Sequence, residues 1–291
     1  MLSVVLLMLV AVLASPAQEF RTGKVFFKPE KKIEKTDAPP PATIGFPLEQ
    51  MVEEEESRYF GLIIGVNNYP DPAIKSLDFP ISDAQKMYDV LVEDYMFKEE
   101  NIQFLTNPRR DDIIYALDHF SRVVTPRDNL LIFYAGHGYW DPGPKVGYWL
   151  PSDARKISKA DWFRNSTLVD YLKEVNARHT LLITDACFGG SIFKTRKAFA
   201  DAPESIEKLY EFPSRKAMTS GAYAEEVPDE SQFTKYLIER LKKNRDKYLS
   251  SEQLFSSLEK AVINNSETTP QFVEIRNVGD QGGDFIFIRG K

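Results

Sequence analysis

Cysteine and histidine are scarce in this sequence, and their scarcity limits the chemistry that the protein can perform. The 291 residues include one Cys and three His. This excludes an intramolecular disulfide and a zinc site built from Cys and His ligands. Basic residues are not in excess either, since 37 Lys and Arg face 43 Asp and Glu for a net charge of −6. That balance argues against nucleic acid as a partner, whereas the many carboxylates leave a calcium site of oxygen ligands open.

Long hydrophobic runs are missing beyond the first residues. Val4 to Ala14 is an unbroken run of 11 apolar residues, followed by Ser15-Pro16-Ala17. This pattern is typical of a secretory signal peptide, so residues 1–17 are predicted to be removed on export to the periplasm or the medium. The run is too short to cross a bilayer as a helix, and no stable membrane span is expected after its removal. No Lys or Arg precedes the run, and a buried N-terminal segment is the alternative.

Residues 18–57 have the composition of a tether. They contain a Lys-rich stretch from Arg21 to Lys35, three consecutive prolines at 39–41 and four glutamates at 53–56. Prolines favour extended backbone, and few apolar positions are present that could fill a core. The folded domain is therefore predicted over residues 58–291.

Strands and helices alternate through this domain. Continuous apolar runs predict strands that are buried on both faces, and apolar residues at helical spacing predict the helices between them. The predicted strands cover residues 60–66, 102–105, 129–135, 180–184, 217–220 and 285–288. The predicted helices lie within residues 84–95, 113–124, 168–175, 233–241 and 254–262, the last capped by Ser250 with Gln253 three residues later. This alternation predicts an α/β sandwich with a mostly parallel sheet and helices on both faces.

Two reactive side chains follow two of these strands. The third predicted strand ends in Gly136-His137-Gly138, and the fourth ends in Asp185-Ala186-Cys187. If the two strands are parallel neighbours, His137 and Cys187 meet at the edge of the sheet where ligands bind. A thiol beside an imidazole is a nucleophile beside its base, and the backbone amides of Gly138 and Cys187 could bind the resulting oxyanion. The alternative is a buried, inert cysteine.

The other two histidines fit this site less well. His179 begins the strand that ends near Cys187, which separates the two by about 26 Å at the rise of an extended chain. His119 falls in the middle of a predicted helix beside Phe120 and is interpreted as a structural residue.

At the two strand ends the chain resembles the caspase-like cysteine peptidases, the clan of caspases, metacaspases and paracaspases. Residues 134–138, Tyr-Ala-Gly-His-Gly, are similar to the His motif of the clan, and residues 185–190, Asp-Ala-Cys-Phe-Gly-Gly, to its Cys motif. The 50 residues from His137 to Cys187 match the caspase spacing. Asp185 stands where caspases have Gln and Phe188 fills the variable position, and an Asp there is the metacaspase and paracaspase pattern. Further blocks similar to bacterial members are found, in order, at residues 60–69, 82–84, 148–154, 219–221 and 232–234.

The resemblance implies a fold, an activity and a specificity. The fold would be a three-layer sandwich around a mostly parallel sheet of about six strands. The activity would be that of an endopeptidase that forms a thioester between Cys187 and its substrate, with no cofactor required for the chemistry. Calcium, which many metacaspases need, is the candidate activator, although the sequence identifies no ligand set for it.

Acidic residues point to a basic substrate side chain. In the clan, the S1 pocket binds the residue that precedes the scissile bond, and the position that carries Arg in caspases is Asp83 here. Asp185 is a second candidate for the pocket, and Glu225 or Glu226 is a third. An acidic pocket pairs with Arg or Lys and repels Asp. The alternative for Asp83 is a cap on the helix that follows it.

The segment after the Cys motif is a predicted site of self-cleavage. In caspases the corresponding segment is cut on activation, and several metacaspases cut themselves there after basic residues. Lys194, Arg196 and Lys197 are the candidates within it, and a second group lies between Lys24 and Lys35. Exposed loops of this kind are where proteolytic nicking concentrates. The alternative is that these basic residues only keep a surface loop soluble.

Two other functions are compatible with the sequence. A fold does not guarantee activity, so a catalytically silent caspase-like scaffold that binds partners is one alternative. The other is a different acyl transfer, by a transpeptidase or amidase that acts on cell-envelope peptides. His137 and Cys187 argue against the scaffold, and no residue excludes the second alternative.

Overall fold

A computed structural model describes residues 57–186, 205–222, 225 and 227–290. Its strands are β1 (Tyr59–Gly65), β2 (Phe97–Thr106), β3 (Asn129–Ala135), β4 (Gly138–Asp141), β5 (Val146–Trp149), β6 (Phe163–Arg164), β7 (His179–Asp185), β8 (Ser214–Thr219), β9 (Tyr248–Ser250), β10 (Gln271–Glu274) and β11 (Ile286–Ile288). Its helices are α1 (Pro80–Asp94), α2 (Arg110–Val123), α3 (Asn165–Glu174), α4 (Ile206–Glu211), α5 (Gln232–Lys243) and α6 (Ser251–Asn265). Within these residues no helix is both long and apolar enough to cross a membrane.

A six-stranded sheet forms the centre of the molecule, in the order β10-β8-β7-β3-β1-β2. All neighbouring strands are parallel except β10 and β8. The central strands β1, β3 and β7 are buried along their whole length. Each reads as a continuous apolar run because both of its faces are covered by other elements. The predicted α/β sandwich with a mostly parallel sheet is confirmed.

Three strand predictions differ from the structure in their details. The strand predicted over residues 102–105 is longer and runs from Phe97 to Thr106. The strand predicted over residues 217–220 begins three residues earlier, at Ser214. The strand predicted over residues 285–288 does not join the main sheet, since β11 pairs with β9 in a separate two-stranded sheet. The sixth position of the main sheet belongs instead to β10, whose four residues are too few to give a periodic signal.

Helices cover both faces of the sheet. Apolar residues of α2 and α3 pack against one face, together with Trp149 and Phe163 of the small sheet formed by β4, β5 and β6. Apolar residues of α1, α5 and α6 pack against the other face. Helix α6 begins as predicted, because Ser250 accepts a hydrogen bond from the Gln253 amide and the Gln253 side chain accepts one from the Ser250 amide.

The carboxyl ends of the three central strands lie side by side. Gly65 of β1 pairs with Ala135 of β3, and Ala135 pairs with Asp185 of β7. Strand β2 lies on one side of β1 within the sheet, and β3 lies on the other side. The strand order therefore reverses at β1, and a crevice is expected between the carboxyl ends of β1 and β3. The N-terminus of α1 approaches this crevice closely, because a Cβ atom at Gly65 would lie 2.8 Å from the Cα atom of Ile81.

Candidate active site

The two predicted catalytic residues follow paired positions of neighbouring strands. Ala135 and Asp185 are paired, and the Gly136 amide donates a hydrogen bond to the Asp185 carbonyl at 3.4 Å. His137 is two residues beyond Ala135, and Cys187 is two residues beyond Asp185 in the sequence. Cys187 itself lies outside the described residues. Strands β3 and β7 are parallel neighbours, and this is the arrangement in which His137 and Cys187 are expected to meet.

The imidazole of His137 is oriented by a backbone carbonyl. Its Nε2 atom lies 2.7 Å from the carbonyl oxygen of Lys75, in the loop between β1 and α1. A carbonyl oxygen only accepts hydrogen bonds, so Nε2 carries the proton and Nδ1 keeps its lone pair in the neutral ring. The contact therefore presents Nδ1 as the atom that can take a proton.

Two tyrosines fix the backbone of His137. The His137 amide donates to the Tyr69 hydroxyl at 2.9 Å, and the Tyr134 hydroxyl donates to the His137 carbonyl at 2.7 Å. The Tyr69 ring lies 4.9 Å from the imidazole between ring centres. Gly136, just before the histidine, has φ of +155°, and a Cβ atom there would lie 3.1 Å from the Cβ of Val66. Only glycine fits this turn, which turns the chain sharply at the end of β3.

An acidic cleft opens beside His137. Its open space is about 360 Å³, including the part that is open to solvent. Three carboxylates line it, from Asp83, Asp185 and Asp229. The remaining lining residues are His137, the strand-end residues Ala135 and Gly136, and the apolar residues Leu77, Pro80, Val227 and Pro228. This combination suits a ligand group that carries positive charge on an apolar stem.

Asp185 is the most buried of the three carboxylates. Side chains alternate along a strand, so Asp185 follows Leu181 and Ile183 onto the face that α1 and α5 cover. Its Oδ2 atom accepts a hydrogen bond of 2.6 Å from the Thr234 hydroxyl, whereas Oδ1 has no hydrogen-bond partner among the described residues. Burial raises the pKa of Asp185, the Thr234 hydrogen bond opposes that rise, and the nearby Asp83 adds to it.

Asp83 lies in the first turn of α1 rather than at its cap. The helix begins at Pro80, and its Ile81 amide donates to the side-chain oxygen of Asn67, so the structure contradicts the alternative in which Asp83 caps the helix. Asp83 is 8% exposed and pairs with Lys86 at 2.8 Å. Burial raises its pKa, and the Lys86 contact opposes the rise.

Asp229 is a residue of the cleft that the sequence analysis missed. Its carboxylate accepts hydrogen bonds from the amides of Asp78 and Phe79, at 2.8 and 3.2 Å, and so joins the two walls of the cleft. It stands 151 positions from Asp78 in the chain. No local spacing reveals a contact of that separation. In the sequence, Asp229 is simply one of several polar residues before α5.

The other predicted site residues do not line the cleft or lie outside the described residues. Glu225 does not line the cleft, because its carboxylate accepts hydrogen bonds of 2.8 Å from the amides of Ala222 and Thr269. Gly138 opens β4 directly after His137. Glu226, Lys194, Arg196 and Lys197 lie outside the described residues. Within the part of the chain that is described, no group of three or more His, Cys, Asp or Glu is arranged to hold a metal ion.

His179 is far from this edge of the sheet, as its position at the start of the strand predicts. It begins β7, pairs with Asn129 and is fully buried. Its ring nitrogens contact the Ser214 hydroxyl and the Tyr210 carbonyl, both at 3.0 Å. Burial lowers its pKa, and the charge of Arg178 lowers it further. The prediction that His179 begins this strand is confirmed.

Residues 58–278 match the family model described as the caspase domain. Metacaspase-4 of Arabidopsis thaliana is 31% identical over 183 residues, which are 55% of this chain and 42% of that protein. Metacaspase-1 of Eremothecium gossypii is 31% identical over 115 residues, which are 35% of this chain and 25% of that protein. The match thus spans less than half the length of either relative.

Solved structures share the fold at low sequence identity. Caspase-1 of Spodoptera frugiperda superposes with a TM-score of 0.55 and 14% identity, over 75% of this chain and 87% of that one. A protein of Geobacter sulfurreducens superposes with a TM-score of 0.54 and 15% identity, over 78% of this chain and 99% of that one.

Proposed function

This chain belongs to the caspase domain family, and from that premise we propose that it is a cysteine endopeptidase that cleaves after Arg or Lys. Cys187 is the nucleophile and His137 its base. Gly138 and Cys187 supply the backbone amides that bind the oxyanion. The curated relatives that support a peptidase are both metacaspases.

The proposed reaction proceeds in two steps. The Cys187 thiol gives its proton to Nδ1 of His137, and the thiolate attacks the peptide carbonyl carbon. The tetrahedral oxyanion collapses, the C–N bond breaks, and the imidazolium returns its proton to the leaving amine. Water then attacks the thioester with His137 as base, which releases the carboxylic acid and restores the thiol. The contact of Nε2 with the Lys75 carbonyl supports this role for Nδ1.

One observation carries the proposed specificity, namely that three carboxylates line the cleft beside His137. Asp83 and Asp185 are nearly buried, so a guanidinium or ammonium group would meet them with little screening by water. The apolar residues of the same cleft would contact the stem of the Arg or Lys side chain. A substrate with Asp before the scissile bond would be repelled.

The deciding experiment is to profile the recombinant protein on peptides that are randomised before the scissile bond. We expect cleavage after Arg and Lys, no cleavage by Cys187→Ala, and turnover of His137→Ala lower by several orders of magnitude at unchanged thermal stability. Iodoacetamide should label Cys187 faster when His137 is present. Preferred cleavage after Asp would contradict the assignment of the pocket, and full activity of Cys187→Ala would contradict the mechanism.

Export and activation complete the proposal. The apolar run at residues 4–14 supports removal of residues 1–17 during export to the periplasm or the medium. N-terminal sequencing of the protein recovered from its source tests this, with Gln18 expected as the first residue. Calcium is proposed as an activator because metacaspases are relatives of this chain. An increase of peptidase activity with added calcium and its loss with chelator would support that role.

A further inference from the structure

We propose that Thr234 is a positioning residue of the acidic cleft, which fixes Asp185 so that one carboxylate oxygen is left for the basic side chain of a substrate. The inference rests on the proposed function, since it assigns a determinant of basic specificity. Thr234 is not itself a residue that lines the cleft.

The geometry of Thr234 supports this role. The residue is fully buried in the first turn of α5, on the face of the helix that packs against the sheet. Its amide donates to the hydroxyl of Ser231, the residue that caps α5, at 3.2 Å. Its own hydroxyl donates to Oδ2 of Asp185 at 2.6 Å. The start of the helix therefore holds the hydroxyl, and the hydroxyl holds one oxygen of the carboxylate.

The other carboxylate oxygen has no such partner. Oδ1 of Asp185 is buried and makes no hydrogen bond within the described residues. A buried carboxylate oxygen without a partner is costly for a fold. That cost is explained if the oxygen is reserved for a cation that enters the cleft, which Asp185 lines.

The hydrogen bond also favours the charged form of Asp185. Burial and the neighbouring Asp83 of α1 raise the pKa of Asp185, and the Thr234 hydroxyl acts most strongly against that rise, with smaller contributions from the hydroxyls of Ser231 and Ser220. Asp229 and His137 are the other titratable groups of the cleft. Without the hydroxyl, protonation of Asp185 at a higher pH should leave less of the protein able to bind a cation.

A purely structural role for Thr234 would have different consequences. Asp185 is two residues before Cys187, so a hydroxyl that only anchored the end of β7 would support the nucleophile. Its loss would then lower kcat and leave KM for Arg substrates and the pH profile unchanged. The proposed role predicts the reverse, with a higher KM and a shifted profile at nearly constant kcat.

The test compares Thr234→Val, which keeps the shape and removes the donor, with Thr234→Ser, which keeps the donor. For an Arg peptide we expect KM to rise about 10- to 100-fold in Thr234→Val, as for a lost hydrogen bond to a charged group. The acidic limb of kcat/KM should move to higher pH, and Thr234→Ser should restore both. Thr180→Val is the matched control, because Thr180 is a buried threonine of β7 whose hydroxyl has no partner among the described residues.

A binding measurement separates this inference from the proposed function. Agmatine, a guanidinium probe, is titrated calorimetrically into Cys187→Ala with and without Thr234→Val. Weaker binding in the double variant supports the inference even if the wild type cleaves no Arg peptide, in which case only the proposed function fails. Unchanged agmatine affinity or unchanged KM would overturn it, as would a loss confined to kcat. Thr234→Ala is read in the same way if Thr234→Val does not fold.

Discussion

At Asp185, the proposed binding of a basic substrate and the stability of the fold favour different charge states of the carboxyl group. The residue is 7% exposed, and one of its carboxylate oxygens lacks a hydrogen-bond partner within the described residues. Burial raises its pKa, so the folded chain holds a proton there more tightly than the unfolded chain does. The free energy of unfolding that this residue contributes therefore rises as the pH falls through the raised pKa of the folded state. At neutral pH the charged form lowers the stability of the fold, while the proposed function needs that charge.

Asp185→Asn should separate these two effects. An amide keeps an acceptor for the Thr234 hydroxyl and removes the buried charge, so we expect a higher free energy of unfolding at pH 7 by urea titration. For an Arg peptide kcat/KM should fall by at least about 100-fold, since losing one partner of a buried ion pair costs ~3–5 kcal/mol. In the wild type, kcat/KM should decline as the pH falls through the raised pKa, because the protonated carboxyl no longer attracts a cation. If Asp185→Asn is active with the KM of the wild type, Asp185 does not bind the basic side chain of the substrate.

Asp83→Asn is the companion change on the other wall of the cleft. Asp83 pairs with Lys86 three residues later, and Asp170 pairs in the same way with Lys173 at 2.9 Å. The Asp170 side chain is 67% exposed, against 11% for Asp83, so Asp170→Asn loses the same type of pair in water. We expect KM for Arg peptides to rise in Asp83→Asn and to stay constant in Asp170→Asn. If the two variants have equal kinetics, Asp83 has no role in substrate binding and only pairs with Lys86.

At the scale of elements, His179 joins two strands and a helix at the edge opposite the cleft. It lies at the start of β7, contacts the Ser214 hydroxyl of β8 and contacts the Tyr210 carbonyl of α4. The carbonyl can only accept, so Nε2 is the protonated nitrogen of a neutral ring. Burial lowers the pKa of His179 well below its usual value. Protonation of His179 is therefore expected to destabilise this junction.

The pH dependence of stability should report this junction. The unfolded chain takes up a proton at His179 below pH ~6.5, whereas the folded chain does not until a lower pH. Stability from this residue is therefore lost as the pH falls from 6.5 toward the lowered pKa, by up to about 1.4 kcal/mol per pH unit. Urea unfolding at pH 7 and pH 5 should show the loss in wild type and its absence in His179→Gln.

The control for the pH dependence of unfolding is His119→Gln, which makes the same substitution at a histidine that is only partly buried. His119 lies on α2, beside Phe120. We expect it to keep the pH dependence of the wild type. Asp185 and Asp284 have raised pKa values and contribute the opposite slope in all three proteins. The difference between wild type and His179→Gln therefore isolates the histidine, and equal slopes in these two proteins would contradict its assignment as a buried neutral residue.

At the scale of the whole molecule, the main sheet continues across the predicted self-cleavage segment. Strand β7 lies before that segment and β8 after it, and the two pair in parallel from His179 with Ser214 to Thr184 with Thr219. Helix α5, after the segment, packs on the same face of the sheet as α1, before it. A chain cut between the two strands would keep this shared core, because both fragments contribute buried strands to it.

Self-cleavage should therefore give two fragments that stay together. We expect wild type to be cut after Lys194, Arg196 or Lys197 when calcium is added. Cys187→Ala should stay intact whether calcium is added or chelated. Mass spectrometry should find two fragments after denaturation, while gel filtration without denaturant should find one particle of unchanged size. Cuts between Lys24 and Lys35 would be seen in the same spectra. Identical intact masses of both proteins under every condition would rule out self-processing.

Sequence alone determined the features of this protein that depend on residues close together in the chain. The continuous apolar runs of β1, β3 and β7 predicted buried parallel strands, and the cap at Ser250 predicted the start of α6. Glycines and reactive side chains at two strand ends predicted a site formed by His137 and Cys187, because ligands of such sheets gather at the carboxyl edge. These signals depend on residues within a few positions of one another.

Tertiary structure alone decided the contacts between residues that are distant in the sequence. Asp229 reaches the loop before α1, Thr234 reaches Asp185, and the Lys75 carbonyl reaches His137. It also decided that β10 rather than β11 completes the main sheet. Side-chain hydrogen bonds of this kind form wherever packing brings donor and acceptor within about 3 Å, and no periodicity or local motif encodes that approach. The sequence thus pointed to Asp83 and Asp185 but not to Asp229, and the arrangement of all three around one cleft came only from how α1, α5 and the sheet pack together.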